Sequence, residues 1–166
     1  MRPHFLTIVL PLLLAPTVHA ADDDTLLAQL LTCQPAEDAR VRMNMLKVLE
    51  ARSTKNGDGR AKIGGRIQVG KLCIDNAELA AAFGVFMATG SMCDAEPAPL
   101  TDFLQQTKSD VKPAHAAPPA HVLAAFEAPK YSMTVYRGEP GFQPKIQEPA
   151  SQRVSYLCAF QESGPQ

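Results

Sequence analysis

Tryptophan is absent from this chain, tyrosine occurs three times and all aromatics together make up 6% of the residues. The flat ring platforms on which sugar-binding clefts are built are therefore scarce. Histidine is almost as sparse. Of four histidines, only His115 and His121 lie beyond the first twenty residues. His115 sits in a Pro/Ala stretch that offers little of the surrounding structure a general base needs. The two lack the i, i+4 spacing and the neighbouring carboxylate of a helical metal site, so no metal and no cofactor is expected. A surplus of charge is missing too: 17 acidic residues face 16 basic ones, with no basic block to bind nucleic acid or an anionic membrane. No G-x-S-x-G elbow surrounds Ser91 or Ser151. The acidic pairs Glu37/Asp38 and Asp94/Glu96 flank helix starts or turns, where a structural use suffices. Residues 54–65 imitate part of an EF-hand, but Thr54 stands at the first position and Gly65 at the twelfth, which favours a hairpin over a calcium site. Met43 and Met45, two apart on a helix, point to different sides and do not make a copper site.

The N-terminus is the most informative segment. Residues 1–20 combine a basic start at Arg2, an apolar run from Phe5 to Leu14 and the small-x-small ending Val18-His19-Ala20, the layout of a secretory signal peptide. Cleavage there leaves about 146 residues with Asp22, Asp23 and Asp24 at the start, the size of one domain. Nothing later approaches the roughly 20 apolar residues of a membrane span; the longest candidate, residues 79–92, is interrupted by Gly84 and Gly90. Leu30-Leu31-Thr32-Cys33 faintly imitates a lipobox. It lies too far beyond the apolar run for lipid anchoring to be expected.

All four cysteines, Cys33, Cys73, Cys93 and Cys158, survive signal removal. In an exported chain an even number without C-x-x-C reads as two structural disulfides. Three pairings are open; if the two halves of the chain are equivalent, Cys93 would join Cys158 and Cys33 would join Cys73.

Helical periodicity in Leu26, Leu27, Leu30 and Leu31 predicts a short helix capped by Asp24. A second helix runs from Pro35 to about Arg52, burying Val41, Met45, Val48 and Leu49. Residues 53–59 form a loop, residues 66–74 one central strand, Asp75-Asn76 a turn, and residues 84–92 a strand, with 77–83 ambiguous. In the second half a helix is expected over 100–107, a Pro/Ala linker over 109–119, another helix over 120–127, and strands over 130–136 and 152–160. The fold class is α+β, an antiparallel sheet with helices packed on one face and the other face left for a partner. Residues 24–93 and 99–160 share an order of helices then strands ending on Cys, which suggests a repeat within a single domain spanning 21–166.

A small exported, disulfide-stapled domain without a catalytic constellation works by its surface. The expectation is a periplasmic or secreted protein-binding module, an inhibitor or immunity-type protein acting on an exported enzyme of a bacterial envelope, rather than an enzyme. The alternatives are an assembly component of the cell envelope and, further behind, a small hydrolase. Its partner would be another exported or envelope protein, reached through residues 53–60, 113–119 and 137–143. Tyr136, Arg137 and Phe142 are the anchor candidates, since aromatic and Arg side chains dominate binding hot spots.

Overall fold

The computed structural model describes residues 18–108, 110–114, 121–143 and 152–161. Among the described residues three helices, α1 (Val18–Leu31), α2 (Ala39–Arg52) and α3 (Ala98–Thr107), accompany nine antiparallel strands in one sheet. The strands are β1 (Ser53–Lys55), β2 (Ala61–Ile63), β3 (Ile67–Val69), β4 (Leu72–Ala82), β5 (Val85–Met92), β6 (Lys112–Pro113), β7 (Val122–Ala128), β8 (Tyr131–Arg137) and β9 (Val154–Gln161). Their order is β1-β2-β4-β5-β9-β8-β7-β6, with β3 also on β4. The last strand of each half thus lies at the centre, Ala88 opposite Cys158 and Gly90 opposite Tyr156. The outermost strands are only three and two residues long, which limits edge pairing with other chains.

Residues directly opposite in an antiparallel pair share a face. One face accordingly collects Leu79, Ala88, Met92, Met133, Val135, Tyr156 and Cys158 beneath Leu27, Leu31, Leu100 and Leu104 of α1 and α3. The α+β class with helices on one face of an antiparallel sheet is the fold seen. The opposite face is not left open: residues 138–143 cross it, with Gly141 N donating to Thr89 Oγ1 at 3.0 Å and Ser155 Oγ donating to Gly138 O at 2.7 Å.

Both disulfides form, in a different pairing from the one that equivalent halves imply. Cys33 joins Cys158 and Cys73 joins Cys93. The reason is the end of α1. Cys33 takes a left-handed φ of 56°, its amide donates to Leu30 O and that of Gln34 to Gln29 O. This is a Schellman cap with cysteine where glycine is usual. The turn brings Cys33 onto β9, where its sulfur meets Cys158. Cys73 and Cys93, by contrast, close the open end of the β4–β5 hairpin.

Residues 53–59, expected as a loop, begin with strand β1, and the expected linker holds β6, because both segments pair with a neighbouring strand. Four further elements differ from expectation. Residues 66–74 are two strands, because Gly70, at φ 57°, turns the chain in a two-residue hairpin between Val69 and Leu72. Asp75-Asn76 is a β-bulge inside β4; Asn76 holds φ 51° and its Nδ2 donates to Ser91 Oγ. The alanine-rich 122–128 is strand β7, for hairpin pairing with β8 through Pro129-Lys130 outweighs helical propensity. Lastly, Asp24 does not cap α1, which begins at Val18. Its carboxylate instead bonds Arg52 of α2 and accepts from Gln68 N at 2.9 Å, while Arg52 also donates to Arg66 O at 3.0 Å. One ion pair thus locks α1, α2 and β3 together. The apolar part of the signal segment, residues 109 and 115–119 of the linker, Ala120 and Ser151 lie outside the described residues.

Candidate functional site

Exposed large apolar side chains converge at one place. The β4–β5 hairpin turns through Phe83 and Gly84, between the paired residues Ala82 and Val85. Both turn residues have positive φ, 53° and 73°, the pattern of a type I′ turn that favours Asn-Gly. A phenylalanine there costs about 1 kcal/mol relative to a residue at ease in the left-handed region. Its side chain gains nothing in return from the fold: Phe83 is 105% exposed. A strained, bulky, solvated residue at a turn apex is the kind of outlier from which a functional role is inferred.

Phe83 forms one lip of a groove of about 390 Å³ between the hairpin and the helices. Leu30, Phe86 and Phe160 lie along it, and Leu46 of α2 and Pro35 form the facing wall. Leu46 is 49% exposed and Met43, one turn away on α2, is 55% exposed. The apolar area therefore continues from the groove onto the helix. Among the described residues Arg42 is the charged residue of the lining. Its Nε donates to Ala36 O at 3.1 Å and its Nη2 to Glu37 O at 3.4 Å, two neutral acceptors that orient the guanidinium without neutralising it.

The anchor candidates read from sequence separate. Tyr136 is fully buried, its hydroxyl donating to Glu139 O at 3.3 Å, so it supports the crossing segment from beneath and presents no surface to a partner. Arg137 is exposed and donates to Gln152 O at 3.4 Å. Phe142 is half-buried with the Arg60 guanidinium 5.2 Å from its ring centroid, a cation–π contact. Two of the three segments named from sequence, 53–60 and 137–143, thus meet through Arg60 and Phe142.

Every tyrosine of the chain is buried, and burial pushes the phenol of Tyr131, of Tyr136 and of Tyr156 above the ordinary tyrosine range. The Tyr156 hydroxyl has no hydrogen-bond partner among the described residues. Gly90 lies opposite it in register because a Cβ there would stand 3.0 Å from that hydroxyl. His121 lies just ahead of β7, and its backbone carbonyl accepts from Arg137 N. Among the described residues no group of three or more His, Cys, Asp and Glu side chains could hold a metal ion, and no helix is long and apolar enough to cross a membrane. Met45 is buried while Met43 is exposed, and the EF-hand-like stretch forms the β1–β2 hairpin. The sequence signal that could have found the groove was the Phe-Gly pair itself: a turn dipeptide ending in Gly whose first residue is not a turn former. Comparison of the chain with protein-family models, curated proteins and solved structures finds no match.

Proposed function

We propose that the chain is an exported protein-binding module of a bacterial envelope, an inhibitor or immunity-type protein that acts on an exported enzyme through its surface and not by catalysis. Two disulfides fit an oxidising, non-cytoplasmic compartment, and the signal-like N-terminus directs the reading to the periplasm. The observation that carries it is Phe83, held in a left-handed turn and wholly exposed beside an apolar groove. Selection for folding alone would place Asn there. Retaining Phe instead makes sense where the ring fills a pocket on a partner, since aromatic anchors dominate hot spots. Arg137 and Phe142 serve as a second contact region.

The test is Phe83→Asn in the mature chain, residues 21–166. Thermal unfolding is expected to shift upward, by about 1 kcal/mol of stability, while capture of the partner enzyme from envelope extracts is lost. An F83N protein that still captures the enzyme would remove the groove from the interface; capture by the wild type of an envelope assembly complex in place of one enzyme would favour the assembly role.

A further inference from the structure

Resting on the groove as the binding site, we propose that its occupant is a segment of a partner protein that carries an apolar side chain beside a carboxylate, and that Arg42 is the receptor for that carboxylate. Among the described residues the groove's lining side chains are apolar except at Arg42. None of the ion pairs among the described residues, Asp24–Arg52, Asp58–Arg60, Lys108–Asp110 and Glu139–Arg153, involves it. Its charge is held in place by two backbone carbonyls, so the fork is oriented in advance and little side-chain entropy is lost when an anion docks. A purely apolar occupant would bury that charge without compensation, and a basic one would be repelled. A carboxylate gives the guanidinium a charge-assisted partner.

A bilayer does not suit the same features. The groove is concave and near the lower end of the range of about 300–1,000 Å³ typical of ligand pockets, sized for one or two side chains. Exposed Glu37, Asp38 and Glu50 alternate with Arg40, Arg42 and Lys47 along and before α2, so the surface lacks the net positive face that anionic lipid selects.

A phage library of random dodecapeptides panned on residues 21–166 tests this. The enriched sequences are expected to carry Leu, Met or Phe within one helical turn of Asp or Glu. For a synthetic peptide of the enriched sequence, followed by fluorescence anisotropy, Arg42→Gln should weaken binding about tenfold or more, and F83N should abolish it. Replacing the peptide's carboxylate by its amide should produce the same loss on wild type and no further loss on R42Q. Enrichment without an acidic preference, or unchanged affinity in R42Q, overturns the carboxylate receptor and leaves the groove standing. Peptides that bind F83N as well as wild type, or a library that enriches nothing, overturn the groove and the proposal together. Retention of wild type but not R42Q on vesicles containing one-third phosphatidylglycerol, without peptide enrichment, reassigns the surface to membrane.

Discussion

Residues 18–93 close on themselves. Cys73 and Cys93 staple the open end of the β4–β5 hairpin, and the Asp24–Arg52 pair gathers α1, α2 and β3. The tight two-residue turns at Gly70-Lys71 and Phe83-Gly84 keep partners adjacent in sequence. Residues 94–161 are held differently. They contribute α3 and β6–β9, have no disulfide of their own, and are fastened to the first half by the β5–β9 pairing, by Cys33–Cys158 and by residues 138–143 crossing to Thr89 and Arg60. The two disulfides also leave the sheet differently: Cys158 lies on the helix-covered face with Tyr156 and Val154, whereas Cys73 alternates with the inward Leu72 and Ile74. The lesson is that the first half is a local scaffold, free to carry a strained apex, and the second completes the core around it.

The sharpest way to break that contrast is to remove each disulfide separately. Cys33–Cys158 closes a separation of 125 residues and Cys73–Cys93 one of 20; chain-entropy arguments assign them about 5 and about 3 kcal/mol. Urea unfolding of the paired Ser variants should therefore show the larger loss for C33S/C158S, with the second half losing amide protection first. Equal losses would mean that the halves are not unequally held.

Alkaline pH sharpens it from the other side. Tyr131, Tyr136 and Tyr156 all belong to the second half, and burial raises each phenol above its unfolded range. The native state then keeps protons that the unfolded state releases above about pH 10, so stability is intact below that pH and falls as pH rises beyond it. The limiting slope is about 1.4 kcal/mol per pH unit for each tyrosine. Tyrosinate absorbance should appear together with loss of near-ultraviolet circular dichroism; tyrosinate forming in a still-folded protein would contradict the burial.

Within the first half, Asp24→Asn removes the charge that joins α1 to Arg52 while sparing most of the shape. A loss of about 2 kcal/mol is expected, because Arg52 is left partly buried without its anion, readable in the urea midpoint. A loss no greater than that of an exposed pair such as Arg60–Asp58 would demote the node. The smallest effect belongs to Tyr156→Phe. Removing a buried hydroxyl without a partner among the described residues should leave stability unchanged or raise it by about 1 kcal/mol, and a clear loss would reveal a partner for that hydroxyl.

The sequence was most legible where periodicity and burial coincide. Leu27, Leu30 and Leu31 of the α1 stripe, the 100–107 helix, and the inward sets Tyr131, Met133, Val135 and Val154, Tyr156, Cys158 fall where the pattern placed them, with Leu26 half-buried. It was least legible where a residue occupies a conformation untypical of its kind. Cys33, Asn76, Phe83 and Lys130 all have positive φ without being glycine; at Cys33 and Asn76 an expectation failed, the disulfide pairing and the turn that is a bulge, and the segment ending at Phe83 was ambiguous in the sequence. Tyr136 was misjudged for a related reason. Alternation puts it on the face away from the helices, and residues 138–143 cross over it there.

The sequence by itself determined the α+β class, the presence of two disulfides and the inward faces of α3, β8 and β9, because hydrophobic period and cysteine parity are local, additive signals. Tertiary structure alone decided which cysteines pair, that an alanine-rich segment is a strand, and that Phe83 and Arg42 share a groove. Each of those depends on contacts between residues far apart in the chain, whose combined free energy overrides propensities of a few tenths of a kcal/mol per residue.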